Sequence, residues 1–368
     1  MTFLGFDERW AAYLTVAEMS LGGAARVHGG RIAAVHRGAV EVLRVDEAGA
    51  PDEVPDGAAH GAPDGAPLRI DLDIPGHCRD SESWPPMVGD WVGVDDAGHI
   101  LDILPRRTYL TRPSVGRAAL EQPICANIDV VLIVEPAVPA ASRGRIERFV
   151  ALAHASGARP WLVLTKADLA NPADLQELGE GCEEVLALDA RSAVDVARLV
   201  ELLSGTVVVV GRSGAGKSTL TNTLLGATQT VGTVRESDHK GRHTTTGRQL
   251  VCGEHFAVID TPGVRALGAT MDTEAIADTF ADIRELAASC HFANCSHGRE
   301  PRCAVREACA SGALDVDRLD RYLRMMAEAE RLRSRSDART ARSQDRHASK
   351  ENTRGRRETM RLKGKNRG

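Results

Sequence analysis

Continuous apolar runs alternate with helix-period segments through the middle of the chain. Val130–Val134 (VVLIV) is followed by RGRIERFVALAHAS and then by Trp161–Thr165 (WLVLT), and further apolar strands are expected at Glu184–Leu188, Thr206–Val210 and Phe256–Ile259. Strands apolar on both faces and separated by helices require a parallel sheet covered on both sides. The pattern predicts one α/β domain over 120–272. Upstream, shorter β-type runs at Ala25–Val35, Ala39–Val45, Leu68–Ile74, Met87–Val94 and His99–Leu104 are punctuated by turns such as Gly29-Gly30 and Arg37-Gly38. They predict a small all-β barrel over 26–115 of the oligonucleotide-binding (OB) type, with an SH3-like barrel fitting almost as well. Residues 1–25 read as a helical extension. Downstream, helical segments at Glu274–Ala288 and Asp315–Ala329 bracket a cysteine cluster and predict a small α domain over 273–330.

Composition adds two features to this multi-domain reading. Asp46–Pro67 is so rich in Ala, Gly, Pro and Asp that it cannot bury enough apolar area to order itself, and it is expected to be a flexible insertion in the barrel. The net charge of −5 is unevenly spread: residues 331–368 hold fourteen Lys or Arg against four acidic residues. That tail carries +10 and the remainder −15, which suggests a disordered segment with a polyanionic partner. The N-terminus lacks the basic start and apolar core of a signal peptide, and no apolar run reaches membrane-spanning length, so a cytoplasmic protein with no membrane contact is expected. In a reducing compartment, clustered cysteines suggest a metal rather than disulfides. Aromatic residues make up only 4% of the chain. In the barrel they amount to little beyond Trp84 and Trp91, and Trp91 sits in an apolar alternation that points to the core. Nucleic-acid contacts there would be mainly electrostatic, with Arg26, Arg31, Arg37, Arg106, Arg107 and Arg112 as the candidates.

The strongest chemical signal is the stretch VVVVGRSGAGKSTL, Val207–Leu220. A β-branched strand runs into a glycine-rich loop and then a helix, so that backbone N–H groups from Gly211, Arg212, Ser213, Gly214, Ala215 and Gly216 face a polyphosphate. Lys217 is expected to reach the β- and γ-phosphates and Ser218 to ligate Mg²⁺, with Thr219 beside it. After WLVLT, Thr165-Lys166-Ala167-Asp168 has the form of a guanine reader. Asp168 can accept from both the ring N1–H and the exocyclic amine, an adjacent donor pair that adenine lacks, while the Lys166 stem packs along the base. Ala190 could bring a backbone N–H to the guanine oxygen. Asp260-Thr261-Pro262-Gly263 ends the strand FAVI; Asp260 would hold Mg²⁺ through water and the Gly263 N–H would sense the γ-phosphate. Between the two lies Gly241–Thr246 (GRHTTT), a switch-loop candidate in which Thr245 is favoured to complete the Mg²⁺ shell. Val264 stands where a water-positioning glutamine is common, which leaves His243 as the candidate to orient the attacking water.

The base reader here precedes the phosphate loop, the reverse of the usual order, so the domain is circularly permuted. With VGDWV (Val88–Val92), ILPRRTYLTR, ICANIDVVLIV, TKADL, GRSGAGKSTL, GRHTTT, DTPGV and CHFANCSHGREPRCAV, the chain resembles the RsgA (YjeQ) family of circularly permuted ribosome-assembly GTPases over about Arg26–Met325. It departs from the family in Arg302, where glycine is common, in the Asp46–Pro67 insertion, and in the Leu188-Asp189-Ala190 segment. Cysteine spacing alone points to a closed, structural tetrahedral zinc site, with Cys309 and His291 as competing ligands. The resemblance selects Cys290, Cys295, His297 and Cys303. It implies an OB domain, a GTPase and a zinc domain, with GTP as substrate, Mg²⁺ and one Zn²⁺ as cofactors, and the small ribosomal subunit with its rRNA as partner and activator. A monomer acting late in subunit assembly is expected; the alternative is a GTP-dependent RNA-binding scaffold with vestigial hydrolysis.

Overall fold

The structure, a computed structural model, describes residues 8–20, 27–45, 68–71, 85–113, 121–138, 141–167, 177–227, 248–252, 256–260 and 272–334. The Asp46–Pro67 insertion, Trp84, the GRHTTT segment, Thr261–Val264 and residues 335–368 lie outside them.

The central strands are β8 (Val130–Pro136), β9 (Arg159–Thr165), β10 (Glu184–Leu188), β11 (Gly205–Val210), β12 (Gln249–Cys252) and β13 (Phe256–Asp260), in the order β10-β9-β8-β11-β13-β12. All neighbours are parallel except β12 against β13. β8, β9 and β11 are buried along almost their whole lengths, as their unbroken apolar runs require. Alternate side chains enter two different cores. Val130, Leu132, Val134, Val207 and Val209 meet α3 (Ala193–Leu202) and α4 (Lys217–Ala227) on one face. On the other face Val131, Ile133, Val208 and Val210 share a core with α2 (Arg143–Ser156).

Five antiparallel strands, β1 (His28–His36), β2 (Ala39–Val45), β3 (Leu68–Asp71), β4 (Trp91–Val94) and β5 (Ile100–Ile103), lie in the order β3-β2-β1-β4-β5 around Ile32, Val40, Val42, Ile70, Val92, Val94, Ile100 and Ile103. They do not stand apart from the central domain. β1 also pairs with β12 at Ala34 and Gln249, so one 11-stranded sheet runs through both units. A separate hairpin, β6 (Tyr109–Pro113) with β7 (Glu121–Ala126), leads into β8. The helical lead-in is α1 (Glu8–Ser20), whose Trp10 is buried with its ring 5.8 Å from that of Trp91.

The VGDWV segment fastens the two units. Gly89 has φ +91, and a Cβ there would lie 2.2 Å from the Ala126 carbonyl oxygen. Only glycine permits that approach. Asp90 is fully buried and binds Arg106 through both carboxylate oxygens, each at 2.7 Å, while accepting from the Met87 N–H. Arg31 is 1% exposed; its guanidinium donates to the Gly89 and Asn127 carbonyls and lies over the Trp91 ring. Burial lowers its pKa to about 10, so it stays charged. Two of the arginines expected to meet phosphate are thus internal struts. A solvent-side charge and a strut are indistinguishable in a strand read without its neighbours. Gly89→Ala should destabilise the protein by about 1–3 kcal/mol, from a strained φ plus a backbone clash. An unchanged denaturant midpoint would contradict this.

The C-terminal unit comprises α5 (Thr273–Thr279), α6 (Ala281–Ala287), α7 (Ala304–Ser311) and α8 (residues 316–334). The expected single helix over Glu274–Ala288 is broken at Phe280, whose φ of −113 and ψ of 52 leave the helical region while its ring is fully buried. Helix α8 runs four residues into the segment assigned to the tail. The unit does not have an isolated core: Ile276, Phe280, Val305, Leu319 and Met325 join the cluster that contains α2 and β8. Its chief polar anchor is Arg318, which binds Asp282 twice (2.7 and 2.8 Å), Glu180 (2.8 Å) and the buried Glu147 of α2 (3.1 Å). Arg321 takes the other Glu147 oxygen at 2.7 Å.

Candidate nucleotide site and metal centre

Residues Leu188, Thr165 and Pro136 pair across β10, β9 and β8, so these strands end level with one another. The loops that follow them open on the same edge, where an α/β sheet binds its ligand. Sequential strands depart in opposite directions from the β8–β11 boundary, the topological switch point. The phosphate loop lies there. Gly211 has φ +141, and a Cβ would fall 2.1 Å from the Val134 carbonyl oxygen, so the loop rests directly on β8. Gly214 and Gly216 also have positive φ, which turns successive peptides of the loop. Ala215 is buried, whereas Arg212, Ser213, Ser218 and Thr219 are partly or fully exposed. Lys217 is the first residue of α4, and its Nζ donates to the Gly211 and Arg212 carbonyls at 2.8 and 2.6 Å. The ammonium is therefore folded over the glycine-rich loop.

The TKAD segment is tied to this loop by the Thr165 side chain and to the end of β8 by its backbone. Thr165 Oγ1 donates to the Ala215 carbonyl at 2.7 Å, and the Thr165 carbonyl accepts from the Ala137 N–H at 2.7 Å. Lys166 follows in the left-handed region at φ +57 and, with Ala167, is partly exposed. Ala190 is buried, and its carbonyl accepts from Thr223 Oγ1 of α4 at 3.0 Å. The Asp189 N–H bonds the Asp195 carboxylate, which pins this turn to α3. Asp260 closes β13, where Ile259 pairs with Val208 beside the phosphate loop. Asp168, His243, Thr245, Gly263 and the Asp260 side chain are outside the described residues.

One feature escaped the sequence reading. Glu135, 1% exposed at the end of β8, faces Arg145 of α2 with 2.9 Å between Oε1 and Nε. Burial raises its pKa, while Arg145, Arg212 and Lys217 pull the other way. The signal available was a carboxylate ending an otherwise apolar strand, VVLIVEP. Behind the phosphate loop it balances three cations that would otherwise repel one another.

The cysteine cluster closes into a compact set. Ligand atoms of Cys290, Cys295, His297 and Cys303 all lie within 4.8 Å of one another. Cys290 Sγ is 3.8 Å from Cys303 Sγ and 3.7 Å from His297 Nδ1, and Cys303 Sγ is 3.5 Å from that nitrogen. Zinc–thiolate bonds of about 2.3 Å imply tetrahedral edges near ~3.8 Å, so the donors fit a tetrahedral ion. Neither competitor joins them: the His291 ring is bonded to Arg302, and Cys309 is outside the group. Arg302, the residue standing where glycine is common in the resembling family, has φ +55. A left-handed residue before the last ligand explains that preference.

A family model described as RsgA GTPase matches residues 103–270. The small ribosomal subunit biogenesis GTPase RsgA of Streptomyces coelicolor is 42% identical over 264 residues, covering 68% of this chain and 72% of that protein. Its counterpart in Xylella fastidiosa (strain M23) is 44% identical over 259 residues, covering 67% and 77%. Among solved structures, YjeQ from Thermotoga maritima superposes with a TM-score of 0.58 at 26% identity, covering 82% of this chain and 98% of that one. YloQ, described as a circularly permuted GTPase, gives the same score and identity over 83% and 95%. A GRSGAGKST loop at the switch point, a TKAD segment that precedes it in the chain, and relatives at this identity lead to one conclusion: the chain belongs to the RsgA family of circularly permuted GTPases.

Proposed function

We propose that this GTPase binds the small ribosomal subunit through rRNA and hydrolyses GTP late in subunit assembly, stimulated by the subunit. One observation carries this reading. The flanking units are both fastened to the nucleotide-binding sheet, the N-terminal strands through the β1–β12 pairing and the C-terminal unit through Arg318 and Glu147. β12 follows the GRHTTT segment directly, so a change in that segment with the nucleotide would reach the N-terminal strands through backbone hydrogen bonds. The relatives' name supplies the partner.

The remaining roles follow from chemistry and chain position. Gly211–Thr219 cradle the phosphates, Thr165–Asp168 and Ala190 read guanine, and Gly263 senses the γ-phosphate. Ser218, Thr245 and Asp260 would hold Mg²⁺, which supplies charge to the phosphates when bound. Lys217 stabilises the negative charge that develops as water attacks in line, and His243 orients that water. Cys290, Cys295, His297 and Cys303 hold one structural Zn²⁺. The order β3-β2-β1-β4-β5 supports reading 26–115 as an OB-type barrel. Among the described residues no helix is long and apolar enough to cross a membrane.

The test is GTP turnover measured with and without purified small ribosomal subunits. Stimulation beyond about tenfold is expected, in keeping with partner-activated GTPases that lack part of their own machinery. Equal turnover in both conditions would refute activation by the subunit. Subunit binding with no turnover at all would favour the scaffold alternative.

A further inference from the structure

The indoles of Trp10 in α1 and Trp91 in β4 are buried against each other and offer no stacking face, while Tyr13 of α1 and Tyr109 of β6 are exposed. Another exposed aromatic, with its orientation fixed by neighbours, lies on the cysteine turn. Phe292, between Cys290 and Cys295, is 42% exposed. Its ring is held at one edge by the His291 ring, with centroids 4.7 Å apart and planes at 79°. His291 is itself fixed by the Arg302 guanidinium at 2.8 Å from Nε2. The Phe292 carbonyl accepts from the Cys295 N–H at 3.2 Å, so backbone and ring are both anchored to the cysteine turn. An aromatic that packing does not consume, yet whose orientation is set, is preorganised to receive a flat partner.

The charges around it select which partner. Arg299, Arg302 and Arg306 are exposed on the same short stretch, and the Arg306 guanidinium bonds the Gly298 carbonyl. Glu300 is turned into the turn, where it accepts from the Ser296 hydroxyl and from the Ser296, Gly298 and Arg299 N–H groups. Glu307, one residue beyond Arg306, is rotated about 100° round α7. The short stretch that carries Phe292 therefore also carries three exposed arginines, of which Arg302 is linked to the Phe292 ring through His291 and Arg306 to the Gly298 carbonyl. An unpaired nucleobase with its neighbouring phosphates matches both halves; a duplex offers phosphates but no free base face.

We propose that Phe292 is a stacking platform for an unpaired RNA base, with Arg299, Arg302 and Arg306 holding the flanking phosphates. The proposal rests on the reading of this chain as an rRNA-binding protein and names the contact within it. A twelve-nucleotide oligoadenylate and a duplex of the same length serve as probes for the full chain, titrated by fluorescence anisotropy at several salt concentrations. Wild type should prefer the single strand, and Phe292→Ala should reduce that preference ~5- to 150-fold, the range found for loss of one aromatic–base stack. The slope of log affinity against log salt should not change, since no phosphate contact is lost. Phe292→Trp should retain the preference, whereas Phe292→Leu, apolar but without a π face, should lose it. Metal content, measured in each variant, should stay at the wild-type level. The proposal fails if Phe292→Ala keeps the preference, if Phe292→Leu matches Phe292→Trp, or if affinity falls only in step with lost metal. These outcomes are independent of subunit-stimulated turnover. The stacking role can therefore fail while the ribosomal reading stands, and the reverse.

Discussion

Lys217→Ala is expected to lower single-turnover GTP hydrolysis on small ribosomal subunits by about 100- to 1000-fold, the usual loss when one preorganised transition-state donor is removed. The ammonium sits between two carbonyls of the loop, from Gly211 and Arg212. It can exchange those bonds for phosphate oxygens without moving the backbone. Glu135, buried one strand away, helps to keep a positive charge tolerable there. Alanine leaves the glycine-rich backbone and the α4 N-terminus intact, so nucleotide affinity should fall less than the rate of the chemical step. Measuring the dissociation constant and the single-turnover rate separately resolves the two. Equal losses in both would mean that Lys217 contributes uniform binding rather than transition-state stabilisation. A rate within a few-fold of wild type would remove it from the catalytic machinery altogether.

The second large effect is expected at the joint between the central domain and the C-terminal unit. Arg318→Ala should destabilise that joint by about 3–5 kcal/mol, because it takes a cation from the buried Glu147, which water cannot reach without unpacking. Glu147 is 4% exposed and would keep only Arg321, while Asp282 and Glu180 would lose their shared cation. The guanidinium also covers the Phe280 ring, 4.7 Å from its centroid, so packing is lost with the charge. Burial works against its charge, yet Asp282, Glu180 and Glu147 outweigh that and raise its pKa. Hydrogen exchange gives the decisive reading. Amides of α5, α6 and α8 should exchange faster, while β8, β9 and β11 should keep their protection. Unchanged exchange in the C-terminal helices would show that the apolar contacts alone hold the unit in place.

Legibility differed from element to element for reasons that are visible in particular residues. The strands VVLIV and VVVV were plain because a strand buried on both faces must be apolar throughout, and β8 and β11 are. The segment RIERFVAL also read correctly as a helix, but no local pattern marks Glu147 within it as buried. It is buried, since Arg318 and Arg321 approach from 171 and 174 residues further along the chain. Arg31 was misjudged for the same reason: its partners, Gly89 and Asn127, are 58 and 96 residues away. The break at Phe280 had no glycine or proline to announce it. The ring is drawn into the core between α5 and α6 at the expense of helical backbone there.

The sequence by itself determined the class of chemistry and the α/β nature of the central domain. A glycine-rich loop between strand and helix, a TKAD segment after a buried strand and a close-set cysteine group are local patterns whose geometry follows from their own backbone and spacing. Their order along the chain showed the permutation. Tertiary structure alone decided how the units are joined and which charges face water. It placed β1 against β12, turned Arg31, Arg106 and Arg318 into buried or half-buried struts, and left Phe292 exposed on the cysteine turn. Those outcomes depend on contacts between residues distant in the chain. Whether a charge or a ring is buried is a property of its neighbours in space, and no local period records it.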